Sequence, residues 1–201
     1  MSGTVQRSAT YEDIEALPEN MVGEIIFGEL VAKPRPLYRH GGAANALTAN
    51  LTPPFQFGRG GPGGWVFVIE PELHLGPHVL VPKIAGWRRE NVPEGLAERI
   101  GSERAPDWVL EVLSPSTEEY DRGDKRRIYA TYGVDHLWLL DPRVQHLEVF
   151  ARQEREWLLK ADFTASETVN APPFDAVSFP MADLFPFDAV KHKRDDNEPS
   201  E

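Results

Sequence analysis

The 201-residue sequence contains no cysteine, which excludes a disulfide framework, thiol catalysis and thiolate metal sites. It also lacks any apolar run near the ~20 residues needed to span a bilayer, and it has no hydrophobic signal region at its start. The expectation is a cytoplasmic protein with no membrane partner. Positive charge is scarce: 21 lysines and arginines stand against 32 acidic residues, for a net charge of −11. Phosphate contacts dominate nucleic-acid affinity, so this background works against tight non-specific DNA binding. Part of the acidity is local, in Asp195, Asp196, Glu198 and Glu201. Residues 188–201 are therefore expected to be a charged, solvated tail, and residues 1–9 a flexible arm. Residues 10–187 suit a single domain with a proper core.

The most informative stretch runs from Pro106 to Asp141. Trp108 to Leu113 is an almost continuous apolar run of strand length, as expected of a strand covered on both faces. One carboxylate, Glu111, interrupts it. A buried acid must be paired, metal-bound or near water, because a bare buried charge is costly. A helix follows, with Ser116 and Glu119 spaced as a capping box and Gly133 where a left-handed C-cap belongs. Asp121, Lys125 and Tyr129 fall at i, i+4 and i+8, near one line on that helix. Val134 to Leu140 reads as a second strand, ended by Asp141-Pro142. A carboxylate strand feeding a helix that carries a lysine toward the same sheet edge is a pattern for a metal-and-lysine hydrolytic site.

Elsewhere, Thr10 and Asp13 predict a short capped helix, and Val22 to Ile26 and Glu29 to Lys33 a hairpin around Phe27-Gly28. Glu24 lies in its first strand, where a solvent-facing carboxylate is the simplest reading. Ala43, Ala44, Leu47 and Leu51 have helical spacing, and Arg35, Arg39 and His40 precede or open that helix. These three are candidate phosphate contacts; a solvated helix start is the alternative. Pro53 to Gly64 is a Gly/Pro-rich loop without the Gly-Lys-Ser/Thr ending of a nucleotide-binding loop. Trp65 to Glu70 reads as a strand whose pairing Leu73 to Leu75 extends past Pro71. His74 and His78 flank Gly76-Pro77 and read as turn residues, not a metal pair. Gln145 to Phe150 and Glu156 to Lys160 form a second hairpin, with Phe150 and Trp157 as core or dimer-contact aromatics. Pro172 to Phe187 is expected to pack irregularly on the body.

An ordered series of short motifs resembles the Uma2-type (DUF820) restriction endonuclease-like family, a branch of the PD-(D/E)XK nuclease superfamily. The series comprises Gly23 to Leu30, Pro36 with His40, Glu70 to Leu73, Leu80 to Arg88, Pro106-Asp107 with Glu111 to Thr117, then Asp121, Lys125, Tyr129, Gly133-Val134 and Trp138 to Pro142. The resemblance implies an α/β fold of restriction-endonuclease type, a mixed central sheet flanked by helices. It implies DNA as partner, phosphodiester hydrolysis with Mg or Mn, and by family analogy a homodimer for cutting both strands. Glu111 is then a metal ligand, Glu24 an acidic residue at the metal site, and Lys125 the site lysine, migrated from the position two after Glu111 that Leu113 fills.

One departure outweighs these matches. Where the family reads Pro-Asp before Gly-Trp-Arg, this chain has Pro82-Lys83. Protonated lysine has three donors and no lone pair, so it cannot ligate magnesium. Asp107 cannot substitute, because four residues along a strand is about 13 Å. Lys83 is expected to pair with Glu111 and take the cation's place. The resulting reading is an endonuclease-type protein that is inactive or impaired, with no cofactor in this form. The alternative is a non-catalytic nuclease-fold module binding nucleic acid or a protein partner.

Overall fold

Along Trp108–Val112 successive side chains point to opposite faces of the sheet, and both faces are buried. Trp108, Leu110 and Val112 enter one apolar core, while Val109 enters another together with Leu113 just beyond the strand. Glu111 shares the second face. This single strand therefore divides the molecule into layers.

The computed structural model describes residues 7–34 and 37–188. The chain runs through α1 (Tyr11–Glu15), β1 (Met21–Ile26), β2 (Glu29–Pro34) and α2 (Tyr38–Leu51), then β3 (Trp65–Ile69), β4 (Glu72–Leu75), β5 (His78–Leu80), β6 (Ile84–Arg88) and β7 (Gly101–Ser102). After β8 (Trp108–Val112) come α3 (Glu118–Tyr120), a π-helical turn (Asp121–Lys125) and α4 (Arg126–Tyr132). The remainder is β9 (His136–Asp141), β10 (His146–Gln153), β11 (Glu156–Thr164), β12 (Thr168–Val169) and β13 (Phe179–Pro180). Residues 1–6 of the expected arm, Arg35, and residues 189–201 of the expected tail lie outside the described residues.

The mixed central sheet has the order β11-β10-β9-β8-β6-β3, antiparallel except where β8 and β9 run parallel. That parallel pair needs a crossover, which the α3–α4 helical segment supplies. A second sheet, β2-β1-β5-β4-β7, stands beside it. Its Ile26, Leu73, Leu75 and Leu80 share a core with Ile128 and Tyr129 of α4 and Val109 of β8. On the other face of the central sheet, α2 and the C-terminal segment supply Leu47, Phe174 and Leu184. Phe174 lies 4.8–5.6 Å, centroid to centroid, from the rings of Phe55, Trp65, Phe67, Trp108 and Trp138. The α/β class expected from the sequence is the observed one.

Local signals hold where turn chemistry decides. Phe27 and Gly28 both have positive φ, 48° and 83°, as a two-residue hairpin turn requires. Gly133, at φ 90°, ends α4. Three expectations need correction. The segments around Pro71 do not continue one pairing: β3 is an edge of the central sheet, whereas β4 belongs to the second. Glu70 at φ 48° turns the chain, and Pro71 has no N–H to carry a ladder onward. The helix does not begin with a Ser116–Glu119 capping box; α3 starts at Glu118, whose N–H donates to the Ser114 carbonyl at 2.9 Å. The Ser116 hydroxyl is instead 3.0 Å from that of Ser114. His74 and His78 sit in β4 and β5, not in the turn, and His78 Nδ1 accepts the Phe27 N–H at 3.2 Å. Phe150 is buried, and Trp157 donates to the Arg126 carbonyl at 2.8 Å, so both pack within the chain. Among the described residues no helix is long and apolar enough to cross a membrane.

Candidate active site

Three elements bring carboxylates to one point. Glu111 comes from β8, Glu24 from β1 and Asp121 from the π-helical turn, and each is at most 3% exposed. At their centre is the Lys125 ammonium, fully buried, with Nζ 2.7 Å from Glu111 Oε1, 2.9 Å from Glu24 Oε1 and 3.2 Å from Asp121 Oδ1. Tyr129, one turn on, donates its hydroxyl to Glu111 Oε1 at 2.6 Å. The line of Asp121, Lys125 and Tyr129 is thus realised, and it faces inward. Glu24 is buried, not a solvent-facing strand carboxylate. π-Turns inside helices often mark functional sites, and this one carries both Asp121 and Lys125.

Glu24 and Glu111 differ in their electrostatics. Burial works against the Glu24 charge, but Lys125 and then Lys33 outweigh it, aided by the Val81 N–H, and hold its pKa down at about 2. For Glu111 burial wins over the attraction of Lys125, with Asp121 and Glu24 adding repulsion, and its pKa is pushed up to about 7. Burial opposes the Lys125 charge, yet Glu111 and Glu24 more than compensate and hold its pKa well above the usual lysine range. Burial and the nearby Glu111 raise Tyr129, so its hydroxyl stays a donor.

Two further lysines surround this cluster. Lys33 Nζ is 2.7 Å from Glu24 Oε2. The hairpin register pairs Glu24 with Val31 and Val22 with Lys33, so Lys33 is the diagonal neighbour of Glu24 on the same face. Sequence reasoning passed over Lys33, although counting back from the Phe27-Gly28 turn would have found it. Lys83 stands just before β6, whose register pairs Ile84 with Leu110; one step further places Lys83 opposite Glu111. The expected Lys83–Glu111 ion pair is nevertheless not formed. Lys83 Nζ is instead 2.6 Å from Glu70 Oε1. Glu70, at the positive-φ turn between the sheets, is the second residue that sequence reasoning passed over.

A cavity of about 240 Å³ opens onto this cluster, with Lys33, Lys83, Glu70, Glu111 and Asp121 in its wall. His40 also lines it, but the ring is buried and its Nε2 lies 3.0 Å from the Leu113 carbonyl. Burial lowers its pKa despite that carbonyl, so the ring is neutral at pH 7 and spends its one donor on Leu113. The solvated helix start does not describe His40. Arg39 pairs with both Asp188 oxygens, at 3.1 and 3.2 Å, and donates to the Pro142 carbonyl at 3.1 Å. Asp107, set aside at the sequence level, accepts the Arg88 N–H at 2.7 Å and Asn91 at 2.6 Å, outside the cluster.

A mixed sheet whose central strands and crossover helix converge carboxylates and a lysine on one cavity defines a restriction-endonuclease-like α/β protein. Among solved structures, a nuclease of DUF820 from Anabaena variabilis ATCC 29413, titled a "putative nuclease", superposes with a TM-score of 0.66 at 23% identity. The match covers 88% of this chain and 97% of that one, and it establishes the fold. No curated protein matches the chain. The family model for Uma2, described as "Putative restriction endonuclease", matches residues 9–182, and the chain belongs to that family.

The divalent cation that this fold family implies does not fit the residues present. The described residues include no group of three or more His, Cys, Asp or Glu side chains arranged to hold a metal ion. The three converging acids already share the Lys125 ammonium, and Lys83, paired with Glu70, holds the strand position opposite Glu111. Magnesium demands oxygen donors in near-octahedral geometry, and lysines fill the positions from which such donors would come.

Proposed function

We propose that this chain is a phosphodiester-directed protein of the endonuclease type, with DNA as partner, whose metal-dependent hydrolysis is impaired by Lys83. The observation that carries the reading is the neutralisation of the Glu111, Glu24 and Asp121 carboxylates by Lys125, with Lys83 where a second acidic strand residue would complete an oxygen site. Neighbouring strands put directly opposite Cβ atoms about 5 Å apart, close enough for two carboxylates to share one cation. Lys83→Asp restores that pair.

The test is cleavage of supercoiled plasmid with magnesium or manganese. Lys83→Asp is expected to cut at least roughly a hundredfold faster than the parent, the scale of losing one group that stabilises transition-state charge. Equal cutting by both forms would show that the parent holds its metal without this ligand. Cutting by neither would leave the non-catalytic nuclease-fold module as the surviving reading.

A further inference from the structure

We infer that Lys33 and Lys83 form a metal-independent binding site for a nucleotide phosphate in the cavity beside Glu111. The inference rests on the phosphodiester-directed reading above and names what the altered site holds in place of a metal-bridged phosphate.

The three site lysines are not equivalent. Lys125 cannot leave its position without stranding the buried Glu111 and Asp121. Lys33 can: Glu24 keeps Lys125 at 2.9 Å and the Val81 N–H at 2.7 Å when Lys33 turns away. Lys83 can as well, because its partner Glu70 is 42% exposed and returns to water, and ion pairs this open contribute little. Both lysines line the cavity and are only partly buried. Two ammonium groups lining one cavity are thus available to an incoming anion.

A third donor lies in the same cavity. The Ser114 hydroxyl is 3.0 Å from that of Ser116 and 2.9 Å from that of Thr117, and all three residues line the space. Three hydroxyls carry three protons, and two hydrogen bonds among them use two. One O–H remains to donate. Two ammonium groups and a hydroxyl suit a phosphate, which accepts several charge-assisted hydrogen bonds at once.

The rest of the wall combines the apolar Val22, Pro34, Leu37 and Val81 with His40 and the acids Glu70, Glu111 and Asp121, whose charge the lysines must outweigh. A cavity of about 240 Å³ is just below ordinary small-ligand pockets, which start near 300 Å³. It suits a phosphate with its attached sugar better than inorganic phosphate alone. Such a phosphate reaches the cavity either at the end of a DNA strand or on a free nucleotide.

Calorimetry in EDTA separates these sources, using a 5′-phosphorylated oligonucleotide, a nucleoside 5′-monophosphate and the corresponding nucleoside. The parent is expected to bind at least one of the two phosphate-bearing ligands without metal, and both more tightly than the nucleoside. Tighter binding of the oligonucleotide assigns the site to strand ends; tighter binding of the monophosphate assigns it to free nucleotides. Lys83→Met and Lys33→Met should each weaken binding by roughly tenfold or more, the value of a charge-assisted hydrogen bond, with circular dichroism showing that each variant is folded. No binding in EDTA, equal binding of the nucleoside, or unchanged affinity in both folded variants overturns the inference. Cleavage by Lys83→Asp is independent of it: if that variant cuts DNA while the parent binds no phosphate, this inference fails alone.

Discussion

Lys125→Met lowers unfolding stability by about 3–5 kcal/mol, the cost of leaving buried charge uncompensated. Glu24, Glu111 and Asp121 are each almost fully buried and all lie within 3.2 Å of the one ammonium. Methionine fills a similar volume, so the loss reports charge more than packing. Lys33 still reaches Glu24, but no other cation is paired with Glu111 or Asp121 among the described residues. Urea unfolding at pH 7 measures the effect, and Lys83→Met is the comparison. Its partner Glu70 is exposed, so that change should cost less than about 1 kcal/mol. Similar small losses for both variants would mean that the buried carboxylates do not depend on Lys125.

The second large effect is a reversal with pH. Burial raises Glu111 from its ordinary 4.5 to about 7 in the folded protein. A group bound more tightly in its protonated form contributes its full stability below pH 4.5 and loses it as pH rises through 7. Glu111→Gln keeps an acceptor for the Tyr129 hydroxyl and removes the titration. Relative to the parent, the glutamine variant should therefore gain roughly 3 kcal/mol between pH 4.5 and pH 8. Glu24, held near 2, acts with the opposite sign, and its contribution is lost only as pH falls from about 4.5 through 2. It is present in both proteins and is constant across most of the same window. Parallel denaturation curves at pH 4.5, 6 and 8 give the difference directly. A gap between the two proteins that does not change with pH contradicts the raised Glu111.

Such a gain by the glutamine variant would mean that this acid is kept for something other than stability.

Much of this arrangement was legible in the residues. The carboxylate inside Trp108–Leu113, the i, i+4, i+8 spacing of Asp121, Lys125 and Tyr129, and Gly133 as helix stop are local signals, and local geometry fixes them. The alternation of strand side chains placed Glu111 on a buried face. What stayed hidden depends on contacts distant in sequence. Lys83 pairs with Glu70 and Lys125 with Glu111, and no spacing rule encodes which of two lysines meets which acid. Splitting the strands around Pro71 between two sheets required the positive φ of Glu70. The Ser116 cap failed because three neighbouring hydroxyls bond to one another, a competition that the capping-box pattern does not count. His40 looked like an exposed helix start, yet the Leu113 carbonyl, 73 residues away, draws its ring inside.

The proposed impairment requires that lysines, not a divalent ion, balance the charge of this site. Calorimetric titration of the metal-free parent and of Lys83→Asp with Mn²⁺ tests it most directly. No saturable uptake by the parent and one bound ion in the aspartate variant are expected. Equal uptake by the parent would contradict it, and would place the metal among carboxylates that Lys125 must then release.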